Sequence, residues 1–123
     1  KAMIKKGHTI AKSRILVMGL TFKENCPDLR NTRVIDVVNE LKDFGCQVDV
    51  TDCWADSEEA KHEYGISLVL EPEAGEYNAV FLAVPHREYA SLSADQLRAY
   101  TTDNGVLFDL KGVLPLGQAD LRL

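Results

Sequence analysis

The sequence predicts one α/β domain whose sheet is doubly wound and mostly parallel, with helices on both faces. Short apolar runs alternate with amphipathic segments. A helix connects the first two predicted strands, and such a crossover requires them to be parallel. With 123 residues, of which 46% are hydrophobic, the chain can bury about two-thirds of its unfolded surface. These observations favour a three-layer α/β/α domain of five or six strands.

The first predicted unit is a strand, a long loop, a helix and a second strand. Residues 15–18 form an apolar run, and residues 48–51 form an alternating strand after the helix. Asn31 or Thr32 can cap the start of the helix, and Gly45 stands where a left-handed terminating residue is expected. The helix has four apolar residues at the spacing of one face: Val34, Val37, Val38 and Leu41.

The remaining segments continue the alternation. They are a short exposed helix over residues 55–64, a brief strand over 67–70, a buried strand over 79–84, a helix over 93–100 and a strand over 105–110. Ser93 is a suitable N-cap for the last helix, and Asp95 in its first turn complements the helix dipole. This order of elements predicts a Rossmann-like fold.

Composition and charge exclude several classes of protein. The net charge of -5 argues against a nucleic-acid binder that works by bulk electrostatics. No apolar run approaches the ~20 residues of a membrane span. The three cysteines are an odd number without the spacing of a zinc or thiol redox motif, which favours a reducing, cytoplasmic setting. We therefore expect no nucleic acid, membrane or metal among the partners.

The chain begins at Lys1 rather than Met, which indicates a piece of a longer protein. Residues 1–12 alternate basic and apolar positions around Gly7 and look like the end of a linker helix from an upstream domain. The alternative is a boundary segment with no role. The folded domain is expected over residues 13–123.

The loop over residues 19–30, GLTFKENCPDLR, is the strongest candidate for a functional site. It carries Lys23, Asp28 and Arg30, and it follows the first strand at the edge where open α/β sheets bind ligands. It fails the G-x-G-x-x-G fingerprint of dinucleotide sites, because only Gly19 is present. A phosphate held here would therefore depend more on side-chain charge than in a glycine-rich loop.

Four further residues are interpreted as structural. Asp52 could meet a ribose hydroxyl, but a turn-forming role is favoured because the glycine fingerprint is missing. His86 faces the same sheet edge as the loop, and a lone histidine is more often a bystander. Trp54 is expected to pack near the end of the second strand. Cys26 has no histidine near it in sequence to activate it, so no nucleophilic role is expected.

Two motifs carry a family resemblance. The first is a strand, G-x-x-F-K, four residues, D-x-R and a helix, and its fixed positions are Gly19, Phe22, Lys23, Asp28 and Arg30. The second is a strand ending in D-x-R/K, over residues 108–111. From about Lys12 onward, the chain resembles the UDP-binding C-terminal domain of the UDP-glucose/GDP-mannose dehydrogenases. Arg33 departs from the residues usual after the first motif.

The resemblance implies part of an NAD-dependent enzyme that oxidises the C6 alcohol of a UDP-sugar to a carboxylate in two steps, using two NAD+. Arg30 is the position implied to face NAD. The family's NAD-binding domain and catalytic cysteine lie upstream of this segment, so no catalytic residue is implied here, and the full-length enzyme is expected to be a homodimer. The substrate-binding positions implied are Phe22, Lys23, Glu24, Asn25, Asp28 and Lys111.

Several of these positions have alternative roles. Phe22 can pack under the loop or cover the nucleotide. Asp28 can shape the loop by accepting backbone N–H groups, and this is favoured because a carboxylate repels pyrophosphate. Lys23 and Arg30 could be solvated loop charges. Lys111 offers a point charge rather than a bidentate fork, which suits contact with phosphate or a single oxygen.

Residues 12–38 and 109–115 are most similar to bacterial enzymes acting on UDP-N-acetylhexosamines (GlcNAc, GalNAc or ManNAc) for capsular or O-antigen polysaccharide. The alternative class is a flavodoxin-like regulatory or interaction module that binds a small anion. A phosphoacceptor module needs acidic residues at the first strand end, where this chain has Gly19 and Leu20. The missing glycines also disfavour a self-contained NAD-binding domain.

Overall fold

The computed structural model describes residues 1–5, 9–115 and 117–122. Its sheet is parallel throughout, in the order β2-β1-β3-β4-β5. The strands are β1 (Arg14–Met18), β2 (Gln47–Thr51), β3 (Tyr77–Leu82), β4 (Thr101–Asp109) and β5 (Leu121–Arg122). The helices are α1 (Ala2–Lys5), α2 (Val34–Asp43), α3 (Ser57–Tyr64), α4 (Arg87–Ala90) and α5 (Ala94–Arg98). The predicted parallel α/β class is confirmed.

Helices cover both faces of the sheet, which explains why its central strands are apolar at every position over residues 15–18 and 79–82. Side chains alternate along a strand, so Ile15 and Val17 pack on one face in the cluster that contains residues of α2 and α3. Leu16 and Met18 pack on the other face, in the cluster that contains residues of α4 and α5. The three predicted layers are therefore present.

Local signals set the helix ends as expected at two positions. Gly45 follows α2 with φ of 91° and donates its N–H to the Lys42 carbonyl. Ser93 caps α5 in a reciprocal capping box with Gln96. At the start of α2 the N-cap is Arg33 rather than the expected Asn31 or Thr32, and it makes no side-chain cap hydrogen bond. The Thr32 hydroxyl, one residue before this N-cap, still accepts the Val34 N–H at 3.2 Å. The cap of α3 is Asp56, which accepts two backbone N–H groups.

The predicted number of five or six strands is too high, because only four full-length strands are present among the described residues. Four strands of five to nine residues form the sheet, and β5 adds only two residues at its edge. Residues 67–70 are not a strand: one hydrogen bond joins Val69 N–H to the Val50 carbonyl, and Leu70 is 79% exposed. This segment gains too little burial to pair along its length.

Several boundaries also differ from those expected. The third strand is Tyr77–Leu82 rather than 79–84, because the N–H groups of Ala83 and Val84 both turn to the Met18 carbonyl. The fourth strand begins at Thr101, and α5 ends at Arg98. Helix α4 was not predicted. Of the segment expected as a linker helix, residues 2–5 are helical and residues 6–8 lie outside the described residues.

The carboxyl ends of four strands lie level with one another. Met18 pairs with Thr51 and Leu82, and Leu82 pairs with Asp109. Gly19, the first residue beyond β1, has φ of 99°, and a Cβ added there would lie 2.5 Å from the Cβ of Val84. Only glycine fits this crossing of the chain beyond β1 over the chain beyond β3. Every loop that carries a candidate residue therefore leaves the sheet at one edge.

Candidate functional site at the carboxyl edge of the sheet

The loop over residues 19–30 has a buried base and an exposed tip. Leu20 and Leu29 are buried in the core at its two ends. Between them, the Phe22 N–H donates to the Asp28 carbonyl at 2.7 Å and closes the loop. The side chains of Phe22, Lys23 and Glu24 are exposed. Apolar burial thus fixes the base, and the tip presents one aromatic ring and two opposite charges.

Under this loop lies a histidine–aspartate pair that joins three loops. His86 and Asp52 are both buried, and His86 Nε2 lies 3.0 Å from Asp52 Oδ2. Asp52 Oδ2 also accepts the N–H groups of Leu20 and Thr21, at 2.6 and 3.1 Å. Its Oδ1 accepts the N–H groups of Trp54 and Ala55, at 2.7 and 2.9 Å. Asp52 therefore forms the predicted turn and also holds the first residues of the loop.

The hydrogen bonds of His86 define its protonation. Its Nδ1 accepts the Asn25 N–H at 2.9 Å, so Nδ1 carries no proton. The ring proton is on Nε2, where it is donated to Asp52 Oδ2. Burial alone would raise the pKa of Asp52, but the hydrogen bonds from His86 and from the Leu20 and Trp54 backbone outweigh it, and the pKa lies below the ordinary value of 3.8. The pair is a neutral imidazole on a carboxylate.

Asn25 is held through both its backbone and its side chain. Its φ is 56°, a left-handed conformation that asparagine tolerates better than most residues. Its N–H is bound by His86, and its side-chain oxygen accepts the Arg87 N–H at 2.7 Å. The predicted substrate position Asn25 therefore has its backbone N–H and side-chain oxygen engaged within the protein.

Asp28 and Arg30 pair with each other across the end of the loop. The Asp28 carboxylate accepts the Arg30 backbone N–H at 2.8 Å and its Nε–H at 3.1 Å. The hydrogen bond from the Arg30 side chain, followed by that from its backbone, lowers the pKa of Asp28. The Arg30 side chain remains 84% exposed. The carboxylate of Asp28 thus shapes the loop.

Lys111 stands in a short turn that its own strand organises. Asp109, the last residue of β4, is buried and receives three backbone N–H groups from the turn. Its Oδ1 accepts from Gly112 and Val113 at 3.1 and 3.2 Å, and its Oδ2 accepts from Leu114 at 2.8 Å. The Lys111 side chain is exposed above this turn. The buried Asp109 carboxylate therefore fixes the backbone of the turn, and the turn exposes Lys111.

An open cleft of about 570 Å³ lies between the loop and the start of α2. Phe22, which is 54% exposed, lines one part of it. The remaining lining residues come from the start of α2 and the segment before it: Asn31, Thr32, Arg33 and Asp36. The Phe22 ring is therefore available on one side of a concave surface and is not ordinary core.

The sequence prediction missed the role of His86, which is central to the site and not a bystander. The signal was weak, because its partners Thr21, Asn25 and Asp52 lie 34 to 65 residues away along the chain. Trp54 packs as expected, with its ring stacked on that of His86 at 5.9 Å and its Nε1 donating to Glu88. Cys26 is a half-buried free thiol.

The fold and the site define a parallel α/β ligand-binding domain with lysines at the carboxyl edge of its sheet. The model of the UDP-glucose/GDP-mannose dehydrogenase family, UDP binding domain, matches residues 16–115. The chain belongs to this family. Over the part of the chain that the structure describes, no helix is long and apolar enough to cross a membrane.

Relatives extend the comparison. A UDP-N-acetyl-D-glucosamine 6-dehydrogenase from Salmonella typhi is 50% identical over 100% of this chain and 29% of its own length. Protein CapL from Staphylococcus aureus is 42% identical over 93% of this chain and 27% of its own length. The solved UDP-D-ManNAc dehydrogenase from Pyrococcus horikoshii superimposes with a TM-score of 0.71 at 21% identity, covering 98% of this chain and 27% of that structure. The chain thus spans less than a third of these relatives.

Proposed function

We propose that this chain supplies the nucleotide-sugar side of an NAD-dependent UDP-sugar 6-dehydrogenase, which oxidises a C6 alcohol to a carboxylate and so produces a UDP-uronic acid. The observation that carries the proposal is the placement of Lys23 and Lys111. Each is exposed in a loop that a buried carboxylate shapes, and both loops leave the same edge of the sheet. Two cationic side chains at a strand-end edge suit a diphosphate.

The substrate class proposed is a UDP-N-acetylhexosamine. The name of the Salmonella relative and its 50% identity support this branch. The product is proposed to serve capsular or O-antigen polysaccharide. Which hexosamine is oxidised would depend on groups outside the loops described above.

The proposed contacts divide by chemistry. Lys23 and Lys111 would bind phosphate oxygens, and Phe22 would cover one side of the nucleotide in the cleft. Glu24 and Asn25 would contact the ligand from the loop tip, Asn25 through its amide nitrogen because its amide oxygen accepts from Arg87. Asp28 would act by shaping the loop.

The described residues do not fit NAD by themselves. A pyrophosphate cradle needs glycines that let a ligand approach the backbone, whereas the close approach at Gly19 is occupied by Val84. We therefore propose that NAD is bound mainly by a separate domain, with Arg30 facing it from this chain. No catalytic residue is proposed here, and the chain alone is not expected to be active.

The setting proposed is a reducing cytoplasm, which the three free thiols support. The partners proposed are a UDP-sugar and the upstream domains, with residues 1–12 as the end of a linker helix and residues 13–123 as the ligand-binding domain. The full-length enzyme is proposed to be a homodimer.

Titration calorimetry with UDP and with NAD tests the proposal. Binding of UDP and of a UDP-sugar is expected, with little binding of NAD. Lys23→Ala and Lys111→Ala should each weaken UDP binding by about 1.5 to 3 kcal/mol, the value of a charge-assisted hydrogen bond.

Lys42→Ala is the matched control, because it removes the same charge from the last turn of α2, at the other end of that helix from the loop. Its UDP affinity should equal that of the unmodified chain. Equal affinity for UDP and NAD would contradict the proposal, and equal affinity for UDP and inorganic phosphate would favour the small-anion module instead.

A further inference from the structure

His86 is a buried, fully hydrogen-bonded side chain that the proposed function does not use. We propose that it is a positioning residue for Lys23: its neutral imidazole holds the chain on both sides of this lysine and so sets the ligand-binding form of the loop tip. The ligand part of this inference rests on the proposed function. The positioning part concerns the free protein.

The contacts of His86 bracket Lys23. On the far side, Nδ1 accepts the Asn25 N–H at 2.9 Å. On the near side, Nε2 lies 3.2 Å from Thr21 Oγ1, and that hydroxyl donates its proton to the Lys23 carbonyl at 2.9 Å. Because the Thr21 hydroxyl donates its proton to the Lys23 carbonyl, its oxygen acts as an acceptor toward His86. The Nε2 proton is therefore shared between Thr21 Oγ1 and Asp52 Oδ2. One ring therefore fixes two points of the loop, two residues before and two after the lysine.

The imidazole is itself held rigidly. It is 0% exposed, stacked against Trp54 at 5.9 Å and tilted against Tyr89 at 5.8 Å. Its Nε2 proton goes to Asp52, whose carboxylate is anchored by backbone N–H groups of two loops. The ring orientation is thereby set from below, and the hydrogen-bonding direction of Nδ1 follows from it.

The tip of the loop lacks apolar anchors of its own. Residues 22–25 are all exposed, so their backbone is placed by hydrogen bonds and not by burial. The bonds across to neighbouring loops are those to His86 and the bond from the Arg87 N–H to Asn25. Removing the Nδ1 acceptor should therefore loosen the tip while leaving the sheet intact.

Two substitutions separate the two ring nitrogens. His86→Asn keeps an acceptor near the position of Nδ1 and loses the donor to Asp52, and His86→Gln keeps a donor near the position of Nε2 and loses the acceptor for Asn25. Leu97→Ala is the control for general destabilisation, because Leu97 is buried on the other face of the sheet from Leu20 and Leu29. All measurements are made at a temperature below the thermal unfolding midpoint of each variant.

Amide hydrogen exchange over residues 19–30 of the free chain is the first measurement. His86→Gln should raise exchange at Asn25 and its neighbours, His86→Asn should retain protection there, and Leu97→Ala should leave the loop pattern unchanged. Nitrogen NMR of the unmodified chain at neutral pH should show the proton of His86 on Nε2. A proton on Nδ1, or equal loop exchange in His86→Gln and the unmodified chain, would overturn the inference.

The dissociation constant for UDP is the second measurement. His86→Gln should raise it on the order of tenfold, and His86→Asn, which keeps the contact to Asn25 but loses the one to Thr21, should raise it by a smaller factor, whereas Leu97→Ala should stay near the unmodified value. Affinities that merely follow the thermal midpoints of the variants would overturn the positioning role. If the unmodified chain binds no UDP, the proposed function fails, and the exchange comparison still decides whether His86 positions the loop.

Discussion

The two loops that present Lys23 and Lys111 are built in opposite ways. The turn after β4 is held by Asp109, which lies at the end of its own strand and binds backbone groups three to five residues ahead. The loop after β1 is held by Asp52 and His86, which belong to other loops and lie 31 to 65 residues away. The short turn is locally determined, whereas the long loop has its shape only when the sheet has formed.

The comparison predicts its largest effect at Asp52. Asp52→Ala leaves four backbone N–H groups and the Nε2 proton of His86 without their acceptor, so we expect a loss of about 3 to 5 kcal/mol in the free energy of unfolding. Urea unfolding measures this loss. A loss below about 0.5 kcal/mol, within the range of ordinary surface substitutions, would show that the carboxylate does not organise these loops.

Asp109→Ala should cost less, about 1 to 3 kcal/mol, because it exposes only the backbone N–H groups of one turn. It should lower UDP affinity through Lys111 and leave hydrogen exchange in residues 19–30 unchanged. Increased exchange in that segment would mean that the two loops are coupled, and the proposed contrast would fail.

The same contrast explains what the sequence could predict. Lys111, Gly45 and the Ser93 cap follow from local patterns, and each is placed by residues close along the chain. Lys23 also belongs to a local motif, but its loop is placed by Asp52 and His86, which lie far away along the chain. His86 could not be assigned in this way, because a single histidine after a strand carries no pattern and its partners come from the first two strand ends. The exact strand set also escaped prediction, since residues 67–70 look apolar enough to pair but expose Leu70.

Acid should weaken the long loop through Asp52. The pKa of Asp52 in the folded chain lies below 3.8, so its stabilisation is complete above that value and is lost as pH falls through the folded pKa. Uptake of one proton changes the free energy of unfolding by at most about 1.4 kcal/mol per pH unit. The stability gap between the unmodified chain and Asp52→Asn, measured by urea unfolding from neutral pH downward, should narrow in this acid range. A gap that stays constant would contradict the charged form of Asp52.

The smallest predicted effect compares Thr32, whose hydroxyl bonds both the long loop and α2, with Ser93, which caps only its own helix. Thr32 donates its hydroxyl proton to the Leu20 carbonyl at 2.6 Å and accepts the Val34 N–H at 3.2 Å, so it joins the base of the long loop to α2. Ser93 caps α5 within its own capping box. Thr32→Val and Ser93→Ala should each cost about 1 kcal/mol in thermal or urea unfolding.

Hydrogen exchange then distinguishes the role of Thr32 from that of Ser93. Thr32→Val should increase exchange at the base of the loop after β1, because it removes the bond to Leu20, whereas Ser93→Ala should change exchange only near α5. If Thr32→Val affected α2 alone, the base of the loop would be held by the burial of Leu20 and Leu29 without help from Thr32. The long-range character of this loop would then reside entirely in Asp52 and His86.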